Sequence, residues 1–261
     1  MNILNKNILD LCEEYMEQNL KNKNITLISM LLKAAVVVSA VAGTIMSAYA
    51  GRDSFMGGRA VFMYFTIQSN LVVAAISIAG AVLMLNKKTG GRKWQIVKLM
   101  GASAISLTCL VFCFVLAPTL GEYAWSLQNV LTHVIGPVCC VADFFVSENS
   151  QEYKREDSVW VTVLPLLYVA YAGIGYICGW HFSEETTYPY FFLNWGSKAG
   201  AFGFVNEMPY FGTVWWILVL TILMLLLGLG YVAGANAVYR KRNIKVEAQP
   251  VKKKNWFRFE Q

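Results

Sequence analysis

The chain has 261 residues, 56% of them hydrophobic and only 15% charged, with a mean hydropathy of +0.46. Soluble domains run at about 45–50% apolar and about 25% charged, so this composition excludes an ordinary soluble domain and, more firmly, a disordered chain. The net charge of +6 does not point to nucleic acid, because the basic residues sit in loops and a tail beside long apolar runs, where membrane topology accounts for them.

Charges fall in short blocks between those runs, the pattern of an all-α polytopic membrane protein. A β-barrel needs alternating segments of about ten residues, and none dominate. Residues 1–24 read as a cytoplasmic amphipathic helix: Leu4, Ile8, Leu11 and Tyr15 recur at helical spacing, and Asp10, Glu13, Glu14 and Glu17 mark a polar face. A membrane domain follows over 25–240, and a basic cytoplasmic tail over 241–261.

Six spans are predicted, at about 27–49, 61–85, 95–117, 126–146, 159–180 and 211–239. Ala48-Tyr49-Ala50 resembles a cleavage site, but the apolar run before it is too long for a signal peptide, so a retained span is expected. With the N-terminus inside, 19 of the 22 Lys and Arg fall on the cytoplasmic side, including Lys33, and only Arg52, Arg59 and Lys198 fall outside. That bias predicts a cell-membrane protein with both termini in the cytoplasm. The long outer loop, about 181–210, is rich in aromatics: an interfacial belt, or a cover that dips back over a site.

Ionisable groups inside spans are functional suspects. His133 and Asp143 lie in the fourth span, and His181 ends the fifth. At 100° per residue, Asn129, Thr132, His133, Gly136, Cys140 and Asp143 share one side of the fourth span. His133 and Asp143 are about 15 Å apart along the axis, so Asp143 cannot orient the imidazole; Asn129, one turn away, is the closer candidate. In the second span Thr66, Ser69, Asn70 and Ser77 share a face. Such hydroxyls can simply bond to their own helix carbonyls. Yet Thr66, about 7 Å below the outer end of its span, sits at a depth similar to His133, about 10 Å below its own. A hydroxyl and an imidazole at one level can act as nucleophile and base toward an acyl carbonyl. Gln68, Ser69, Asn70 and Asn129 are the supporting or oxyanion candidates.

Phe65-Thr66 opening a span, His133 followed by Pro137, and Tyr188-Pro189-Tyr190-Phe191-Phe192-Leu193 before the last span resemble the androgen-induced-gene family of six-pass membrane proteins. Its bacterial members share a span opening like Tyr64-Phe65-Thr66-Ile67-Gln68-Ser69-Asn70-Leu71, and the resemblance covers roughly 27–239. The His133 to Pro137 interval is one residue shorter than in vertebrate members. The resemblance implies a hydrolase of fatty acyl esters with Thr66 as nucleophile and His133 as base. Tyr188, Tyr190 and Phe191 are the expected substrate-binding residues. The partners expected are the lipid bilayer and a lipid-like substrate.

A transporter or lipid-binding protein without hydrolytic activity is the alternative, with the polar stripes lining a path. Two histidines without an HExxH motif, and six cysteines without a CxxC pair, predict no metal and no disulfide framework. No cofactor is expected.

Overall fold

A computed structural model describes residues 2–50, 58–147 and 149–247. The fold is an all-α bundle in which six helices are long and apolar enough to cross a membrane. We number them α1 (Asn2–Ala50), α2 (Phe65–Leu85), α3 (Arg92–Leu120), α4 (Leu127–Val146), α5 (Arg155–Ile177) and α6 (Thr213–Glu247).

The predicted spans fall on these helices, with differences at the ends. The stretch before residue 24 and the first span form one continuous helix, Asn2–Ala50, without a break at 24. The side chains of its expected amphipathic face lie outside the described residues, as does the tail beyond Glu247. The second span starts later than expected, because Gly58–Met63 forms a 3-10 turn. Thr66 is therefore the second residue of α2, not a residue some way down it.

Each helix turns apolar side chains outward and small polar ones inward. Val38, Ile78, Phe114, Val138, Leu167 and Leu226, one from each helix, are more than half exposed. Ser39, Ser77, Ser103, Ser106 and Thr132 are buried. This is the polarity that a hydrocarbon solvent selects, because polar groups there must find partners inside the bundle. α3 is the central helix, with over half of its apolar window buried. Its run Gly101-Ala102-Ser103-Ala104 keeps it thin enough for that place; a Cβ on Gly101 would stand 2.6 Å from Ile76 Cδ1.

The helix ends are fixed by local chemistry. α2 closes with a Schellman pair: Lys88 N–H donates to Leu83 O and Lys87 N–H to Met84 O, with Lys87 in the left-handed region at φ 53°. Arg92 at the start of α3 bonds to Asp157 at the start of α5, tying two helix ends together. At the other end of the bundle, the loop from Cys178 to Gly212 folds back on the helices. Its Phe182, Phe192 and Leu193 are buried with Tyr64, Tyr168 and Ala172. Phe202, Phe204 and Tyr210 of the same loop stay exposed. The stretches at Phe182 and Phe192-Leu193 thus cover the helices, as one of the two expectations for this loop has it.

Candidate functional site

Thr66 owes its position to the way the chain enters α2. Tyr64 is extended, with φ −91° and ψ 140°, and its phenol donates to Phe182 O at 3.0 Å. Tyr168 Oη donates to Met63 O at 3.0 Å. These two bonds pin the first turn of α2 under the loop. In a first turn the backbone N–H groups have no helical partner, and Thr66 N–H donates instead to Tyr190 Oη at 3.3 Å. The Thr66 hydroxyl reaches across to α4 and stands 3.2 Å from His133 Nε2.

The hydrogen bonds of the imidazole assign its tautomer. His133 Nδ1 lies 3.0 Å from Asn129 O, and a carbonyl can only accept, so Nδ1 carries the proton. Thr132 Oγ1, 3.1 Å from Nδ1, gives its own proton to Gln128 O and accepts on this side. Nε2 is then a bare lone pair, and the Thr66 hydroxyl donates to it. The Phe112 ring of α3 stacks on the imidazole, with centroids 3.9 Å apart and planes 18° apart. Both Thr66 and His133 are buried.

A backbone irregularity sets this geometry, and it occurs twice. Leu131–Ile135 in α4 and Phe112–Leu116 in α3 are π-helical turns, and each is followed by a small residue and a proline. In α4 the N–H of Gly136 is given to Leu131 O, five residues back. Thr132 O thereby loses its usual partner, and Pro137 has no N–H to offer it. Asn70 fills the gap: its Nδ2 donates to Thr132 O at 2.9 Å and to Thr66 O at 2.8 Å. One amide thus holds the helix of the hydroxyl against the helix of the imidazole. Glycines allow the approach, since a Cβ on Gly43 would stand 2.5 Å from Thr132 Cγ2, and one on Gly136 3.3 Å from Asn70 Oδ1.

In front of Thr66 lies a narrow pocket of about 60 Å³, open on one side. Its walls are apolar: Leu107 and Val111 of α3, Leu166 and Val169 of α5, Ile217 and Leu220 of α6, with Phe192 and Leu193 of the loop. Leu166, one of the lining residues, is exposed on the outer surface of the bundle. The few polar groups at the wall include Thr66 and Tyr190. Burial pushes the Tyr190 phenol above its ordinary value, which keeps it protonated and able to donate.

The other expected residues are placed differently. Gln68 points away and donates to Phe62 O. Ser69 bonds to Thr66 O and to Thr108 Oγ1, joining α2 to α3 as a plain helix-bonding serine does. Both Asn70 protons are spent on carbonyls, and Asn129 acts through its backbone oxygen while its side chain holds Ala124 O. None of these four amide or hydroxyl side chains is left to donate into the pocket, because neighbouring carbonyls claim them first. Among the three expected substrate residues only Tyr190 lines the pocket; Phe191 packs against Phe192 and Trp216 behind it. Tyr188 is not among the lining residues, and its carbonyl accepts from Thr186. His181 is exposed. Phe112 and Tyr168 were not expected, and Thr132 was expected only on the polar side of its helix; the Gly136-Pro137 pair is the one signal of the backbone break that makes Thr132 matter.

Asp143 has a partner that the sequence reading set aside. Lys33 of α1 bonds both carboxylate oxygens at 2.6 Å, and Ser29 Oγ donates to Oδ1 at 2.5 Å. Lys33 thus lies within the bundle and not among the cytoplasmic charges. Asp143 serves as half of a buried tie between α1 and α4. No group of His, Cys, Asp and Glu suited to a metal ion occurs among the described residues.

The fold and site define a multi-pass helical membrane protein with a buried, hydrogen-bonded Thr–His pair at the edge of an apolar pocket. Comparisons with protein-family models, curated proteins and solved structures gave no match.

Proposed function

We propose that the protein is an intramembrane hydrolase of lipid (fatty acyl) esters, with Thr66 as nucleophile and His133 as base. The observation that carries this reading is the 3.2 Å contact from Thr66 Oγ1 to an imidazole nitrogen whose partner nitrogen is held by Asn129 O. The adjoining apolar pocket suits an acyl chain.

In the reaction, Thr66 Oγ attacks the ester carbonyl as its proton passes to His133 Nε2. The imidazolium is held by Asn129 O. The tetrahedral oxyanion forms beside the first turn of α2, where the Thr66 N–H and the Tyr190 O–H are the donors within reach. Collapse breaks the bond to the leaving alkoxide, which takes the proton from Nε2. Water then attacks the acyl-threonine, giving its proton to Nε2, and Thr66 leaves with that proton as the acid is released. The resemblance of Phe65-Thr66, His133…Pro137 and Tyr188–Leu193 to the androgen-induced-gene family supports the same pair.

The site belongs to the outer half of the cell membrane with both termini cytoplasmic, on the strength of the Lys and Arg distribution. Moving Lys33 out of that count leaves the bias strong. Substrate enters sideways, past Leu166, from the lipid.

Purified protein supplied with a fluorogenic fatty acyl ester tests the proposal. Thr66→Ala and His133→Ala are each expected to lower the rate by about 10³-fold or more. A fluorophosphonate probe is expected to label the wild type and not Thr66→Ala. Unchanged hydrolysis in both variants overturns the assignment.

A further inference from the structure

When the Thr66 proton passes to Nε2, the His133 ring becomes an imidazolium in a buried site, where an unbalanced charge is costly. Hydrolases that pair a hydroxyl with a histidine place a carboxylate on Nδ1 to offset that charge. Here Nδ1 donates to Asn129 O, a neutral carbonyl, at 3.0 Å, with Thr132 Oγ1 beside it at 3.1 Å. The carboxylate on the same helix, Asp143, is about 15 Å away along the axis, and Lys33 holds both of its oxygens. The ion pairs Arg92–Asp157 and Arg240–Glu152 also lie away from the ring, at the other end of the bundle.

What faces the imidazole is another ring. Phe112 lies flat against it, with centroids 3.9 Å apart and planes 18° apart. The position of Phe112 is itself fixed. The residue is buried, Trp125 meets it in a T-shaped contact at 5.9 Å and 89°, and Ala117 and Ala124 pack around it. Phe112 also opens the π-turn of α3, its carbonyl accepting the Ala117 N–H. Such turns gather at functional sites, and this one begins at the residue that touches the imidazole.

The face of an aromatic ring is negative. A cation within about 6 Å of its centroid is attracted, more strongly where water is excluded. A flat imidazolium at 3.9 Å meets that condition, whereas a neutral imidazole gains only dispersion and stacking. The contact is therefore stronger after proton transfer than before it, and a contact of that kind lowers the barrier rather than tightening substrate binding. It also holds the plane of the imidazole, which keeps Nε2 turned toward Thr66 Oγ1 at 3.2 Å.

We propose, on the reading of Thr66 and His133 as nucleophile and base, that Phe112 is the positioning residue of that base: its π-face holds the imidazole plane and stabilises the imidazolium in place of a carboxylate.

The test exchanges Phe112 in the full chain for 4-fluoro-, 3,5-difluoro- and 3,4,5-trifluorophenylalanine by stop-codon suppression. Fluorine draws electron density from the ring face and leaves the ring nearly the same size. With a fluorogenic fatty acyl ester, kcat is expected to fall with each added fluorine, reaching about tenfold below wild type for the trifluoro ring, with KM within about twofold. Melting temperatures are expected to be unchanged, because the packing is. Phe112→Leu removes the face altogether and is expected to lower kcat about 30-fold. A flat kcat across the fluorinated series, with hydrolysis lost in Thr66→Ala and His133→Ala, overturns the role of Phe112 and leaves the pair standing. A KM that rises across the series at constant kcat overturns it as well, because the ring then acts on substrate binding. Unchanged hydrolysis in Thr66→Ala and His133→Ala overturns the underlying assignment of nucleophile and base, and the role of Phe112 with it.

Discussion

The Thr66–His133 pair and the Lys33–Asp143 pair both join α4 to an earlier helix, ten residues and about 15 Å apart along α4. The first borders an apolar pocket; the second is an ion pair, and its Lys33 lines a cavity shared with Ser29, Gln95 and Lys98. In the first, one imidazole nitrogen is locked by a carbonyl, and the other is left with a hydroxyl that lines the apolar pocket. In the second, both carboxylate oxygens are held by the ammonium group, and Ser29 donates to one of them. A saturated charge pair has little left to react with and holds helices together. A neutral pair with one long contact, as proposed for Thr66 and His133, is free to exchange it. The difference teaches that an ionisable group in a span is informative only once its partners are known.

The comparison can be broken most forcefully at the charged pair. Asp143→Ala strands the Lys33 ammonium group and is expected to destabilise the fold by about 3–5 kcal/mol. The double variant Lys33→Met, Asp143→Leu should recover most of that, as read from thermal melts, with ester hydrolysis per folded molecule retained. Loss of hydrolysis in a stable double variant would show that the pair is more than a tie.

At the neutral pair, Tyr190→Phe keeps the ring and removes one donor, and is expected to lower kcat about 10²-fold with a smaller change in KM. Asn70→Ala leaves Thr132 O unpartnered, which is expected to cost about 1–3 kcal/mol. It should lower kcat roughly tenfold by loosening the Thr66–His133 distance. Gln68→Ala and His181→Ala change groups away from both pairs, and hydrolysis is expected within about twofold of wild type, as other surface substitutions leave a protein. A large effect from either would move the site.

The spans were legible because a run of about twenty apolar residues crosses hydrocarbon whatever else the chain does. The similar depth of Thr66 and His133 was legible because helical rise and period are local rules; that the two side chains meet was not. What could not be read were partners chosen across the bundle. Ser69, Asn70, Gln68 and Asn129 looked like free donors, yet each finds a carbonyl three to six residues back in the chain; only the further bonds of Asn70 to Thr132 O and of Ser69 to Thr108 need the packed fold. The π-turn in α4 was half visible, since Gly136-Pro137 marks the break, but its filling by Asn70 requires α2 to lie alongside.

Sequence alone determined that this chain is a six-span helical bundle and which side chains fall at one depth. Both follow from interactions within a helix and from the solvent around it. Tertiary structure alone decided that Tyr190, over a hundred residues from Thr66, closes the site, and that Lys33 answers Asp143. Those pairings depend on how the helices pack and how the long loop folds over them, and no local rule in the chain specifies either.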